Sequence, residues 1–161
     1  MFRAPTASET PFLVTLGIRT GLFTPDEAQA LLHDTLDSFH AGTLGPGHTV
    51  LVLSQEAAAA LPLGWVYFAP SKEDAASFDL WWIGVDPDQQ GKGFGKALLQ
   101  EVERLAATQG GASLTIETSA GDSCANTRAF YSKQGYAVAG READAYGPGE
   151  DKLVYRKALL T

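Results

Sequence analysis

Ile83-Gly84-Val85-Asp86-Pro87-Asp88-Gln89-Gln90-Gly91-Lys92-Gly93-Phe94-Gly95-Lys96-Ala97-Leu98-Leu99 is the stretch on which the fold turns. The apolar run from Leu80 to Val85 reads as a buried strand. Asp86-Pro87 ends it, because proline has no N–H for a ladder and restricts the residue before it. Glycines then alternate with Lys92 and Phe94, and apolar residues follow at Ala97, Leu98, Val102, Leu105 and Ala106, the spacing of one helix face. A glycine-rich loop thus joins a strand end to a helix start. Such a junction offers free backbone N–H groups and the positive end of a helix dipole, a site for phosphate or pyrophosphate. Lys92 and Lys96 add positive charge.

Two familiar phosphate loops fail. A P-loop needs a glycine five places before Gly95-Lys96, where Gln90 stands, and a hydroxyl where Ala97 stands. The dinucleotide fingerprint G-x-G-x-x-G/A ends on Lys96 if started at Gly91 and on Leu98 if started at Gly93. What remains, Gln90-x-x-Gly93-x-Gly95 after a strand ending Val-Asp-Pro, resembles the acetyl-CoA loop of the GNAT superfamily of N-acetyltransferases. Thr127-Arg128-Ala129-Phe130-Tyr131-Ser132-Lys133-Gln134-Gly135-Tyr136 resembles that family's second signature, a helix whose aromatic-Tyr pair precedes a Gly-Phe/Tyr turn. The resemblance spans about Phe78 to Leu159.

The resemblance implies a mixed, mostly antiparallel central sheet flanked by helices and split at the cofactor site, an α/β fold of the α+β sandwich kind. It implies acetyl transfer from acetyl-CoA to a primary amine of a small molecule or peptide in a ternary complex. Ile83, Gly84 and Val85 are expected to bond pantetheine through the main chain, and Gly91, Lys92, Gly93, Phe94, Gly95 and Lys96 to hold the pyrophosphate. Gln90 is expected to brace the loop. Many family members place an Asn seven residues before the Tyr; here Cys124 stands there and Asn126 follows two further on. Ser123, Cys124 and Asn126 all stay open as cofactor contacts.

Tyr131 occupies the place of the family's acid, and a phenol near pKa 10 can protonate a thiolate of similar basicity. Two carboxylates compete for the base. Glu117 stands first, on the strand before the Tyr helix; Asp79, six residues before Val85, stands second, and a water chain is a third route. A non-catalytic acyl-CoA sensor or regulatory module is the alternative function, since binding and turnover use different residues.

Composition narrows the field. The 161 residues are expected to form one domain, residues 1–161, with 45% hydrophobic and 19% charged side chains. A formal charge of −7 with no basic block lacks the footprint of a nucleic-acid binder. One cysteine, Cys124, permits no internal disulfide and fits a reducing compartment. No apolar run reaches the ~18 residues of a membrane span and no signal-peptide pattern opens the chain, so a cytoplasmic protein without membrane partner is expected. His33 and His40, seven apart, lack a ligand spacing, and no metal is expected. An exposed strand edge or Trp could support a homodimer.

The remaining elements follow in order. Residues 2–5 predict a short strand, and Glu9 to Thr20 a helix closed by Gly21. Thr24-Pro25-Asp26-Glu27 predicts a capping box, with Ala28, Leu31, Leu32, Thr35, Leu36 and Phe39 on one face of a helix running to about Ala41. Strands are expected at Thr49–Ser54, Leu63–Ala69 and Phe78–Val85 as an antiparallel meander, with a turn at Glu56 to Ala60. Trp65, Trp81 and Trp82 are expected in the core or lining a groove. Ala112–Thr118 predicts a strand, Asn126 to Lys133 a helix, and Tyr136–Gly140 and Lys152–Leu159 the last strands.

Overall fold

The computed structural model describes residues 1–55 and 60–159. Most of the expected turn at Glu56 to Ala60 therefore lies outside the described residues. The strands are β1 (Phe2–Arg3), β2 (Thr49–Ser54), β3 (Pro62–Pro70), β4 (Ser77–Val85), β5 (Ser113–Ser119), β6 (Ala137–Glu142) and β7 (Lys152–Ala158). The helices are α1 (Thr10–Arg19), α2 (Pro25–Ala28), α3 (Asp34–Ala41), α4 (Phe94–Thr108) and α5 (Ala125–Lys133). The sheet order is β1-β2-β3-β4-β5-β7-β6. β1–β2, β2–β3, β5–β7 and β6–β7 pair antiparallel and β4–β5 pairs parallel. This is the mixed, mostly antiparallel sheet with flanking helices that the sequence predicts. The chain forms two compact units, one of Met1–Phe68 with Trp82–Val102, the other of Ala69–Trp81 with Glu103–Thr161.

The first unit is built by helices that bury one stripe each. Leu13, Val14 and Leu16 of α1 join Ala28, Leu32, Leu36, Val50, Val52, Trp65 and Trp82 in one core. Gly17 lets α1 approach closely: a Cβ there would lie 2.2 Å from Leu32 Cδ1. The predicted capping box forms, with Thr24 Oγ1 accepting from the Glu27 N–H and Glu27 Oε1 from the Thr24 N–H. The helix it starts is not continuous α. A π turn over Gln29–His33 takes up an extra residue and shifts the phase of the face. Ala28, Leu32 and Leu36 stay buried, while Leu31, predicted on the same face, is 55% exposed. Trp65 and Trp82 are core residues, but Trp81 is 57% exposed and belongs to no core.

In the second unit Phe78, Leu80, Leu114, Ile116, Leu153 and Tyr155 alternate inward along their strands and bury with Tyr131 and Tyr136. The parallel ladder runs from Ser77↔Ser113 to Leu80↔Ile116 and ends there. β7 lies between β5 and β6, so the last strand in sequence is internal and β6 is the edge. Val138, on that edge, is 56% exposed.

Candidate functional site

The junction after β4 belongs to the first unit, and main-chain geometry dominates it. Gly64 and Gly84 let two strands meet closely: a Cβ on Gly64 would lie 2.5 Å from the Gly84 carbonyl oxygen. Asp86 N–H closes β4 by donating to Leu63 O at 2.8 Å. A 3-10 turn, Pro87–Gln89, follows, and the Asp86 carboxylate caps it by accepting from the Asp88 N–H at 2.9 Å. Gln90 then ties the loop back to the strand end, its Nε2 donating to Val85 O at 3.2 Å. Gly91 and Gly93 stand at φ 79° and 86°, the left-handed region where a side chain is strained. A Cβ at either would meet nothing within 4 Å. Their glycine identity therefore answers to backbone conformation and to an open outer face, not to crowding.

Helix α4 begins at once. The first N–H with an intrahelical acceptor is that of Ala97, on Gly93 O at 3.0 Å. The N–H groups of Phe94, Gly95 and Lys96 precede it and have no carbonyl within the helix to bond. Lys96 and Lys92 are exposed, and Lys92 Nζ donates to Gln89 Oε1 at 3.0 Å. N–H groups without an intrahelical acceptor, a helix dipole and two exposed ammonium groups belong to this junction, which fits an anion such as a pyrophosphate.

Side chains dominate the corresponding chemistry of the second unit. Tyr131 lies on α5, 5% exposed, with its ring 6.1 Å from those of Tyr136 and Tyr155. Burial, and secondarily the electrostatic influence of Cys124, pushes its phenol well above the ordinary value. The turn leading to α5 is tied by Arg128, whose guanidinium donates to the carbonyls of Ser119 at 2.8 Å and Gly121 at 2.6 Å. Beside the phenol, Tyr136 donates to Glu103 Oε2 at 2.7 Å, and Lys157 Nζ sits 3.1 Å from Glu103 Oε1. Cys124 is half-buried at the N-cap of α5, and Asn126 is exposed.

The two carboxylates share a sheet face. Asp79 pairs with Thr115, and Thr115 and Glu117 alternate with Ile116, which pairs with Tyr155. Tyr155 packs on Tyr131. Asp79 and Glu117 therefore point to the side of the sheet opposite the phenol. Glu117 is half exposed and paired with Lys152 Nζ at 3.3 Å. Asp79 is half-buried, and its pKa rises, first by desolvation and then by the charge of Glu117, against a hydrogen bond from Ser71. Tyr146, in the loop after β6, is also raised, by burial and then by Glu117.

Arg19, Arg128, Glu103 and Tyr146 are absent from the sequence-derived set. Arg128 carries a visible signal, lying three residues before Tyr131 in the motif helix. The others find partners far away in the chain, and no local spacing announces them.

His33, Asp34 and Asp37 bring their ligand atoms within 4.8 Å of one another, and His33 Nδ1 lies 3.0 Å from Asp37. His33 and Asp37 are neighbours on the helix, which accounts for the cluster without an ion.

Comparison with known proteins agrees with these features. The profile of the acetyltransferase (GNAT) domain matches residues 46–138. No curated protein sequence matches the chain. Among solved structures, a GNAT-family protein from Desulfovibrio desulfuricans is 28% identical, with a TM-score of 0.89 and 99% of both chains covered. The ribosomal-protein-S18-alanine N-acetyltransferase of Escherichia coli is 20% identical, with a TM-score of 0.74, covering 100% of this chain and 94% of that one. A Salmonella typhimurium protein solved with its cofactor acetyl-CoA is 16% identical, with a TM-score of 0.76 over 100% and 94%. The last two show a shared fold. Among the described residues no helix is long and apolar enough to cross a membrane.

Proposed function

This chain belongs to the GNAT acetyltransferase family, and we propose that it moves an acetyl group from acetyl-CoA to a primary amine by direct attack in a ternary complex. The observation that carries the proposal is the Gln90–Lys96 junction: Gln90 braced on Val85, two left-handed glycines, and a helix start whose first N–H groups have no intrahelical acceptor. Bound acetyl-CoA supplies the acetyl group and a thiolate leaving group. The N–H groups of Gly91 through Lys96, with the two lysines, hold the pyrophosphate. Ile83, Gly84 and Val85 meet the pantetheine through the main chain, and a backbone N–H at that strand end polarises the thioester carbonyl. Cys124 or Asn126, at the start of α5, reaches the same arm.

Tyr131 is the proposed acid. Burial keeps the phenol protonated through the working pH range, so that a proton is at hand for the leaving thiolate. The amine must be neutral to attack, and Asp79 or Glu117 takes its proton, directly or through water. The half-burial and raised pKa of Asp79 support it as base; the exposure of Glu117 and its pairing with Lys152 support a role in holding a cationic acceptor. The acceptor is a small amine or a peptide N-terminus; the Escherichia coli structural neighbour is named for an alanine of ribosomal protein S18. Residues 1–161 act as one cytoplasmic acetyltransferase domain.

Isothermal titration with acetyl-CoA, followed by thiol release against a panel of amines and N-terminal peptides, tests the proposal. Binding with amine-dependent turnover supports it. Absence of binding overturns the reading of the junction.

A further inference from the structure

Arg19 is the last residue of α1, and it leaves its own helix to reach the cofactor junction. Its Nη1 donates to Asp86 Oδ2 at 3.0 Å and its Nη2 to Asp88 Oδ2 at 2.9 Å. The two carboxylates are not equivalent. Asp86 is 14% exposed and committed, because its other oxygen already accepts from the Asp88 N–H and its N–H is already bonded to Leu63. Asp88 is 79% exposed and has no such second role. One guanidinium therefore ties the N-cap residue of the 3-10 turn, Asp86, to its middle residue, Asp88, just before Gln90 and Gly91 leave the strand.

The anchor is firm. α1 is seated by Leu13 and Leu16, which are 0% and 1% exposed, and by the close approach of Gly17 to Leu32. Thr20 closes the helix beside Arg19, its hydroxyl donating to Gly17 O at 2.6 Å.

The charge count points the same way. Asp86 and Asp88 place two negative charges immediately before a loop whose donors face an anion. Lys92 and Lys96 match them in number but stand exposed after the turn, whereas the guanidinium fork is bonded to both carboxylates and places a third positive charge directly on them in a fixed geometry.

We infer that Arg19 is a positioning residue for acetyl-CoA. It holds the turn before the loop in its binding shape and screens the anionic cofactor from Asp86 and Asp88. The inference rests on the reading of the junction as the acetyl-CoA loop.

The test is acetyl-CoA titration of wild type, Arg19→Ala, Arg19→Lys and the double variant Arg19→Ala/Asp88→Asn, at low and at high salt, with kcat and KM measured beside it. We expect Arg19→Ala to raise the acetyl-CoA Kd five- to thirtyfold, with KM rising in parallel and kcat falling less than threefold. The loss should shrink at high salt, where the uncompensated carboxylates are screened. Arg19→Lys should recover part of the affinity, since it restores charge without the fork. The double variant should recover part as well, since it removes one unscreened carboxylate; a role confined to fold stability predicts no recovery there. Binding by Arg19→Ala within twofold of wild type overturns the inference and leaves the acetyl-CoA reading intact. Equal loss in all three variants at both salts also overturns it. Failure of the wild type to bind overturns the acetyl-CoA reading itself.

Discussion

The junction at Gln90–Lys96 and the helix carrying Tyr131 recruit chemistry in opposite ways. The junction exposes backbone: a Cβ on Gly91 or Gly93 would meet nothing, the first N–H groups of α4 have no intrahelical acceptor, and its charges lie at the surface. The Tyr131 helix hides a side chain: the phenol sits among aromatic rings, and burial holds its proton. An anion that must bind and leave is met by donors already in place, at little reorganisation cost. On the proposed mechanism, a proton that must move only at one moment is held by a group kept from solvent. The first kind of site depends on φ angles, the second on packing, and the two should fail differently when altered.

The largest effect is expected at the phenol. Tyr131→Phe should lower kcat by more than tenfold with acetyl-CoA affinity unchanged, measured by steady-state kinetics beside titration. Because the folded phenol titrates well above its ordinary value, wild type should show no alkaline fall in kcat near pH 10 from this group; an alkaline limb lost in Tyr131→Phe would break the contrast.

Next come the glycines. Gly93→Ala and Gly110→Ala place the same strain, φ 86° and 89°, at sites where a Cβ meets nothing. Each should cost about 1–2 kcal/mol of stability in urea titration. Only Gly93→Ala should also raise the acetyl-CoA Kd, by about tenfold. Equal affinities would show that conformation alone, without ligand approach, explains the loop.

The pH profile separates the two carboxylates. Asp79 carries a raised pKa, so as base it is protonated and inactive at low pH and active once pH exceeds that raised value. Asp79→Asn should abolish the acidic limb of kcat/KM, while Glu117→Gln should retain it. The reverse result returns the role to Glu117; retention in both assigns it to water.

The smallest effect concerns stability far from the chemistry. Arg3 donates twice to Glu9, at 2.8 and 2.7 Å, and with the Thr6 N–H holds the Glu9 carboxyl down to about 2. A lowered folded pKa gives stability that is complete above the ordinary carboxylate range and is lost as pH falls toward 2. The Tm of wild type should therefore fall more steeply than that of Glu9→Gln between pH 5 and pH 2, by calorimetry.

Much of this architecture was legible in the residues, and the reason differs by element. The capping box at Thr24-Pro25-Asp26-Glu27, the strand at Thr49–Ser54 and the loop of Gln90–Lys96 are local events, decided by neighbours within a few positions. The π turn at Gln29–His33 was not legible, because helical spacing assumes a constant phase, and Leu31 went to the surface with the shift. Trp81 and Trp82 are adjacent and chemically alike, yet only Trp82 finds the rings of Phe23 and Trp65.

By itself the sequence determined the family, the element order and the loop that fits a pyrophosphate, because glycines, caps and alternation act over short range. Tertiary structure alone decided that β7 lies inside β6, that Asp79 and Glu117 share one sheet face, and that Arg19 reaches residues 67 and 69 positions away. Those outcomes depend on which surfaces pack together, and packing joins residues that no periodicity relates.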